Sequence, residues 1–434
     1  MTNLSFLKFR AFLIAVLLLG AMPLLAESIG FREAIDLALK HSGVMVAATA
    51  DRTRAQQRYR AERFAYMPTV VFGSNLGYTY GPPVAIAGQA PSIFNITHSQ
   101  ALINFAARES VKAAHSDSIA AGIDYADHST QVILDTALLY IELDSTRQRL
   151  DAAREQKQSV GKAFYIAQQR QQEGIGTVLD SKRAELDGAR VDLRIAELET
   201  SLDVLRERLG RTIGRSPDTL ETVSDSIPAA PGPRSEEDIS SVALANAPSV
   251  RVADEHLRAA HDRARAEHLM NYPSIDFAGQ YVQYAGFNNY STYYTNFPTR
   301  SYSVGVNLRV PLLNLAQNAR AAVADAEAIR AEADAQTARD QVATDAVRAQ
   351  HAIRQLEAAA KVSRLEYEVA EANIDAVQLQ VQNGHANARD QELARADIAS
   401  RRVTLLQSQF EYLRAQLQLL RQTGELTGWA LGNR

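Results

Sequence analysis

Cysteine is absent from all 434 residues of the sequence. Its absence excludes disulfide bonds, thiolate metal ligands, a cysteine nucleophile and lipid modification of an N-terminal cysteine. A chain without thiols also fits an oxidising compartment, where unpaired thiols would react.

A large excess of charge of either sign is absent as well. The 46 Lys and Arg residues stand against 50 Asp and Glu residues, which gives a formal net charge of −4. A nucleic-acid-binding protein carries a basic excess on some face, so we expect no nucleic-acid partner. Hydrophobic residues make up 46% of the chain, and this content excludes a mostly disordered protein.

Long hydrophobic runs are confined to the N-terminus. Lys8 and Arg10 precede sixteen uncharged residues that end at Ala26, and this pattern predicts a secretory signal peptide at 1–26. The alternative is a retained membrane anchor, although the run is shorter than the ~20 residues that a spanning helix needs. Beyond residue 26 no apolar run reaches spanning length, so any insertion into a membrane would have to use β-strands.

The two halves of the chain match each other. Residues 37–81 match residues 242–286 at an offset of 205, and from about residue 92 the offset becomes 210. Identical pairs include Arg58 and Arg263, Glu62 and Glu267, Pro68 and Pro273, Gly174 and Gly384, and Asp180 and Asp390. The match predicts two copies of one structural unit. The expected parts are a first repeat at 27–214, a proline-rich connector at 215–241, a second repeat at 242–424 and a tail at 425–434.

Each repeat has the same predicted order of elements. A helical segment stops at Pro68 or Pro273, because the residue before proline disfavours the helical conformation. Two strands follow, and then a long helical stretch. The predicted strands are 69–80 and 92–102 in the first repeat, and 274–285 and 300–312 in the second.

Glycines mark the only clear breaks in the long helical stretches. Gly174 and Gly176 in the first repeat and Gly384 in the second suit a helix end followed by a turn back. We therefore expect two antiparallel helical hairpins with tips near 174–180 and 384–390, packed as coiled coils along narrow apolar seams. The predicted fold class is mainly α, internally duplicated, with four strands per chain.

Large apolar residues alternate with small or polar residues along the strands. This pattern is typical of outer-membrane strands that face lipid on one side and water on the other, whereas a β-sandwich with one buried face would give the same alternation. The residues predicted to face lipid are Val70, Phe72, Leu76, Ile275, Phe277, Tyr281, Val304, Val306 and Leu308. Four strands cannot close a barrel, so three chains would have to contribute twelve.

These features together resemble the TolC family of outer-membrane efflux channels, over essentially the whole chain beyond residue 26. The resemblance rests on the duplication and on the following segments: Met67-Pro68 and Tyr272-Pro273 before the strands, Val310-Pro311-Leu312-Leu313-Asn314 between strand and helix, and the two glycine-containing tips. It implies a homotrimer whose 12-stranded barrel in the outer membrane continues as an α-helical tunnel in the periplasm. It also implies two partners, a periplasmic adaptor and an inner-membrane transporter, in an efflux or type I secretion pump.

The resemblance also assigns roles to residues at the tips. Asp390 has the position of an acidic ring at the tunnel entrance, where three carboxylates would favour cations. Asp180 has the position of an acceptor in the contacts that hold the tunnel shut. Ala386 and Leu393 depart from the family pattern, which has a basic and an acidic residue there, and Arg389 is the nearest basic candidate. The alternative is that both aspartates are solvated carboxylates at helix ends.

No motif for catalysis is recognisable, so we expect no enzyme activity, no cofactor and no metal. Gly174-Ile175-Gly176 lacks the third glycine and the preceding strand of a nucleotide-binding loop. His256, His261 and His268 are spaced so that they do not share one helix face. The predicted function is a passive export channel that opens by movement of the tip hairpins. The alternative is a periplasmic helical scaffold or adaptor without a pore.

Overall fold

The computed structural model describes residues 27–77, 92–217, 220–229, 239–284 and 298–432, so the predicted signal peptide lies outside the described residues. The described chain forms two compact units. The sheet unit comprises Val46–His128 and Ala247–Thr344, and the hairpin unit comprises the remaining described residues. Helices predominate, and none of those in the described ranges combines the length and apolar character needed to cross a membrane.

The elements follow the same order in both repeats. The first repeat contains β1 (Glu27–Ile29), α1 (Phe31–His41), α2 (Gly43–Phe64), β2 (Thr69–Asn75), β3 (Ser92–Ile103), α3 (Phe105–Gln172) and α4 (Val178–Ile213). The short strand β4 (Leu220–Thr222) follows in the connector. The second repeat and the C-terminus contain α5 (Ile239–Asn246), α6 (Pro248–Leu269), β5 (Ser274–Tyr284), β6 (Arg300–Arg309), α7 (Leu315–Gln382), α8 (Ala388–Gln422) and α9 (Leu426–Leu431).

The two sequence offsets relate the helices residue by residue. Both ends of α2 map onto α6 and both ends of α3 map onto α7, and the two long helices have 68 residues each. Equivalent asparagines cap them, because the Asn104 side chain accepts a hydrogen bond from the Ala107 N–H at 3.0 Å and Asn314 accepts one from the Gln317 N–H at 3.0 Å. The predicted duplication and mainly α fold class are confirmed.

Four strands form one antiparallel sheet in the order β2-β3-β5-β6. The two hairpins have the same register. The equivalent pairs are Val70–His98 and Phe72–Ile96 in the first hairpin, and Ile275–Leu308 and Phe277–Val306 in the second. The repeats meet at β3 and β5, where Ile96 pairs with Tyr281. Strands β2 and β6 are the two edges of this sheet as described.

Two strands end earlier than the sequence predicts. Strand β2 stops at Asn75 rather than at residue 80, because its pairing with β3 shifts between Gly73 and Asn75 and the chain then leaves the ladder. Residues 78–80 lie outside the described residues. Strand β6 stops at Arg309 rather than at residue 312, since Pro311 has no N–H with which to extend a ladder.

The other two strands differ little from their predicted bounds. Strand β3 continues through Ile103, one residue beyond the prediction, and enters α3 two residues later. Strand β5 is described to Tyr284, and residue 285 lies outside the described residues.

The connector and the tail contain more structure than the sequence analysis foresees. In the connector, β4 pairs in parallel with β1. In the tail, α9 buries Leu426 and Ala430 completely, so this helix is part of the core of the hairpin unit. The Trp429 indole N–H donates a hydrogen bond to the Ala229 carbonyl at 2.9 Å, and its ring contacts that of Phe31 edge to face.

Tyr140 joins the N-terminal strand, the connector and α3 within the hairpin unit. Its fully buried hydroxyl donates a hydrogen bond to the Ile29 carbonyl at 2.7 Å and accepts one from the Val223 N–H at 2.8 Å. The Ser226 hydroxyl lies 3.1 Å away. Burial raises the pKa of the Tyr140 phenol, so the group stays a neutral donor and acceptor at physiological pH.

Replacing Tyr140 with Phe should lower the free energy of unfolding of the hairpin unit by about 1–3 kcal/mol, because the buried Val223 N–H loses its partner. The thermal unfolding midpoint of the purified protein measures the effect. Tyr165→Phe is the control, since the Tyr165 side chain is exposed and its hydroxyl only accepts a hydrogen bond from Gln169. Equal midpoints for the two variants would contradict the structural role of Tyr140.

Candidate functional site

The two helical tips have the same backbone hydrogen bonds. At the first tip, the Ile175 N–H bonds to the Arg170 carbonyl at 2.9 Å and the Gly174 N–H to the Gln171 carbonyl at 3.1 Å. The second tip repeats both bonds, from His385 and Gly384, at 2.8 and 3.1 Å. This pair of bonds is the Schellman motif, which requires a left-handed residue after the helix. Gly174 has φ 78° and Gly384 has φ 74°, so glycine suits both positions.

Gly176 is required less strictly than Gly174. A side chain at Gly176 would lie 2.9 Å from the Gln171 amide nitrogen, which is too close without a shift. The equivalent residue in the second tip is Ala386, whose N–H bonds to the Gln380 carbonyl at 3.2 Å, whereas the bond from Gly176 to Arg170 is 2.9 Å. The second turn therefore fits a methyl group with a slightly longer hydrogen bond.

Asp180 and Asp390 have the same local role. Each is the third residue of its helix and completes a capping box, with Thr177 and Asn387 as the N-caps. The Asp180 N–H donates to the Thr177 hydroxyl at 3.1 Å, and the Asp390 N–H donates to the Asn387 side chain at 3.1 Å. In return, each carboxylate accepts the backbone N–H of its cap. Both aspartates thus fix the direction in which α4 and α8 leave the tips.

Asp180 also contacts Arg389, which links the two hairpins. The carboxylate lies 3.8 Å from the Arg389 guanidinium, and the side chains are 37% and 23% exposed. The Thr177 hydroxyl, which donates a hydrogen bond at 2.6 Å, and the nearby Arg389 charge lower the pKa of Asp180. Arg389 Nε is buried without a hydrogen bond in the described structure, so this arginine has donor capacity left.

Further contacts between the hairpins lie above the tips. Arg402 on α8 approaches Glu155 on α3 at 3.5 Å. Val160, Val191 and Ala396 form a buried apolar cluster that joins α3, α4 and α8. Leu393, at a position where the family pattern has an acidic residue, lines a groove of about 310 Å³ beside this cluster. Above the tips, the hairpins are therefore joined by apolar packing and by an ion pair.

A half-buried arginine lies at another contact between the hairpins. The Arg149 guanidinium donates hydrogen bonds to Gln407 on α8 and to Thr146 on its own helix. Burial lowers the pKa of Arg149. No motif marks this residue, because in sequence it is one of many arginines spread along a polar helix.

Eight of the nine residues predicted to face lipid lie in the strands and share one side of the sheet. Val70 and Phe72 on the edge strand β2 are 65% and 69% exposed, and Val304, Val306 and Leu308 on β6 are 61–69% exposed. Ile275, Phe277 and Tyr281 on the inner strand β5 are half-buried. The stacked or edge-to-face ring pairs on this side are Phe72–Phe94, Phe94–Tyr281 and His98–Phe277. Leu76 lies just beyond β2 and is also exposed.

The opposite side of the sheet carries mainly small and polar residues, together with Val71 and Val282. Its cross-strand neighbours include Thr97, Gln280 and Ser303 in one row and Ser99, Ala278 and Gly305 in another. The sheet therefore has one mainly apolar face and one mainly polar face. An exposed apolar face of this extent marks a surface that contacts lipid or another protein.

A charged cluster joins the two repeats in the sheet unit. Asp117 on α3 forms an ion pair with Arg263 on α6, and the His256 ring lies 3.5 Å from the same carboxylate. Burial alone would raise the pKa of Asp117, but hydrogen bonds from His256 and Arg263 outweigh it and the pKa is lowered. The hydrogen bond to Asp117 raises the pKa of His256 against the effect of burial.

This cluster borders a cavity of about 920 Å³ between α2, α3 and α6. Asp124 and His128 on α3 face the same cavity, and burial raises the pKa of Asp124. No group of three or more His, Asp or Glu side chains in the described ranges is placed to hold a metal ion. The chemistry available here is electrostatic attraction between helices.

Comparison with known families gives a match over most of the chain. The model of the outer membrane efflux protein family matches residues 34–215 and 239–425. The chain belongs to the outer membrane efflux protein family. The predicted resemblance to TolC-family channels is thereby confirmed. No protein with a curated description matches the chain.

Solved structures of outer-membrane proteins share the fold. VceC of Vibrio cholerae is 18% identical, with 91% of this chain and 96% of VceC covered and a TM-score of 0.68. The open state of the MtrE channel of Neisseria gonorrhoeae is 18% identical, covers 91% and 89%, and has a TM-score of 0.70. The CmeC channel of Campylobacter jejuni is 16% identical, covers 93% and 87%, and has a TM-score of 0.65.

The His256–Asp117 contact of this efflux-family chain should make its stability depend on pH. Because the folded-state pKa of His256 is raised, the stabilisation is fully present below its ordinary value of about 6.5 and is lost as the pH rises through the folded-state value. We expect the thermal midpoint to fall across this range in the wild type and to fall less in His256→Gln.

His261→Gln is the matched control, because His261 lies on the same helix and is exposed. Identical pH profiles for the wild type and His256→Gln would show that the contact contributes nothing to stability.

Proposed function

We propose that the protein is a trimeric outer-membrane channel that serves as the passive exit duct of an efflux or secretion pump. The observation that carries the proposal is the four-stranded sheet with one apolar face, one polar face and two edge strands. Three such sheets joined edge to edge would give a 12-stranded barrel with lipid outside and water inside. No covalent step is needed, since the cargo would pass through the lumen.

The paired helical hairpins support a tunnel that continues from the barrel into the periplasm. Their tips would form the periplasmic entrance, and a periplasmic adaptor and an inner-membrane transporter would act there. The first tip exposes Ile175, Val178 and Leu179 at 57–65%, which suits docking of another protein. In this proposal the Asp180–Arg389 contact holds the tips together, and Asp390 from three chains forms the acidic ring at the entrance.

Arg389→Glu should open the channel more often, because a second carboxylate beside Asp180 repels it. A partly exposed pair of this kind is screened by solvent and contributes little, so we expect a change of only a few-fold in the open population per subunit. Single-channel conductance in planar lipid bilayers measures it. The control is Lys182→Glu, because Lys182 is exposed and pairs only with Glu185 on its own helix. Unchanged gating in Arg389→Glu would remove the contact from the closing mechanism.

Asp390→Asn should reduce the preference for cations and the block by multivalent cations added on the periplasmic side. The substitution removes the charge and keeps an oxygen that can accept the hydrogen bond from Asn387. Reversal potentials in a salt gradient give the selectivity. Glu173→Gln, at the exposed first tip, is the control for a general loss of negative charge. Equal effects of the two changes would argue against a ring at Asp390.

The proposal as a whole is tested by the native mass of the protein extracted from an isolated outer-membrane fraction. We expect a trimer that depends on detergent. A soluble monomer in the periplasmic fraction would contradict the channel function and favour a helical scaffold.

A further inference from the structure

The helices of the sheet unit are joined in a fixed order. The Tyr66 hydroxyl, just after α2, bonds to the Asn104 carbonyl before α3 at 2.5 Å. Helix α3 is joined to α6 by the ion pair between Asp117 and Arg263. Helix α6 is joined to α7 by contacts that include His268–Asp325 at 3.0 Å and Asp254–Arg339 at 2.5 Å. The order is therefore α2, α3, α6 and α7.

In this order, the contact between α3 and α6 is the one that joins the two repeats. It connects the long helix of the first repeat to the short helix of the second. The offsets of the duplication convert its two charged residues into Arg58 on α2 and Glu327 on α7. The chemistry is preserved, with an arginine on the short helix and a carboxylate on the long one. Both side chains are exposed, and within the described structure neither forms an ion pair or a hydrogen bond.

We infer that Arg58 of one copy pairs with Glu327 of the neighbouring copy, so that the joint between repeats is used again as the joint between subunits. The inference rests on the proposed trimer. In the neighbouring copy, the short helix α2 would lie beside α7 as α6 lies beside α3 within one chain. Each of the three subunit boundaries would contain one such pair.

The charges of the two helix segments are complementary. Residues 51–63 of α2 contain five arginines and two carboxylates, whereas residues 319–334 of α7 contain four carboxylates and two arginines. Val323, one helical turn before Glu327, is 59% exposed and would be covered by the neighbouring helix. A basic helix at one end of this order and an acidic helix at the other end favour association with a second copy.

The sheet independently suggests that the contact between repeats is reused between copies. Strand β3 of the first repeat pairs with β5 of the second, and the edges that remain are β2 and β6. Applying the offsets to the β3–β5 register places Leu308 of one copy opposite Ser74 of the next, as His98 lies opposite Gly279 within the chain. The helices and the strands of neighbouring copies would thus meet at the same subunit boundary.

Cross-linking tests the pair directly, because the chain has no native cysteine. Arg58→Cys combined with Glu327→Cys should give covalent dimers and trimers with a bifunctional thiol reagent, and either single variant should give none. Arg60→Cys with Glu327→Cys is the register control, since the offset converts Arg60 into Arg265, which pairs with Glu109 and Asp262 and not with Asp117. Arg263→Cys with Asp117→Cys is the internal control, which should react within one chain without an increase in mass.

Charge exchange tests the energetic role of the same pair. Arg58→Glu and Glu327→Arg should each lower the temperature at which the trimer dissociates in detergent, and the double exchange should restore it. The wild-type native mass is measured in parallel. A wild type without a trimer would overturn the proposed function. A wild-type trimer whose Arg58–Glu327 variants neither cross-link nor show restored stability would overturn only this inference.

Discussion

Backbone hydrogen bonding at the edges of the sheet is the constraint on which the rest of the protein depends. In the described sheet, β3 and β5 have neighbours on both sides, whereas β2 and β6 have one each. A row of N–H and C=O groups along each edge therefore needs a partner from outside the sheet. Water can supply it for a soluble protein, but not in the apolar interior of a membrane. In the proposed channel the second situation applies, because many apolar residues on one face of the sheet are more than half exposed.

Because of the duplication, the same strand pairing and the same helix ends are used twice in the chain. The hairpins β2–β3 and β5–β6 share their register, and the long helices share their length and caps. At the tips, the repeats keep the Schellman turn and the capping box but differ in side chains. The first tip exposes Ile175, Val178 and Leu179, whereas the second presents His385, Ala386 and Ala388. Backbone geometry is thus fixed by a few glycines and caps, and the surfaces of the two tips can carry different roles.

Much of this fold could be predicted from the sequence, because its signals are local or repeated. Gly174 and Gly384 mark turns that need a left-handed residue, and the offsets of 205 and 210 reappear in the strand register. Other features depend on contacts between distant segments. Arg389 was the nearest basic candidate by position, but its distance of 3.8 Å from Asp180 depends on how the two hairpins pack. The burial of α9 and the roles of Tyr140 and Arg149 have no periodic pattern, so a single sequence gives no sign of them.

Trp429 is the only tryptophan of the chain, and its place gives the protein a built-in optical reporter. Its indole N–H is bonded to Ala229 in the connector and its ring contacts Phe31 on the first helix. The emission of this single fluorophore therefore reports whether the N-terminal helix, the connector and the C-terminal helix have come together. Refolding of these three segments can be followed in real time without any added label, and separately from events at the tips or in the sheet.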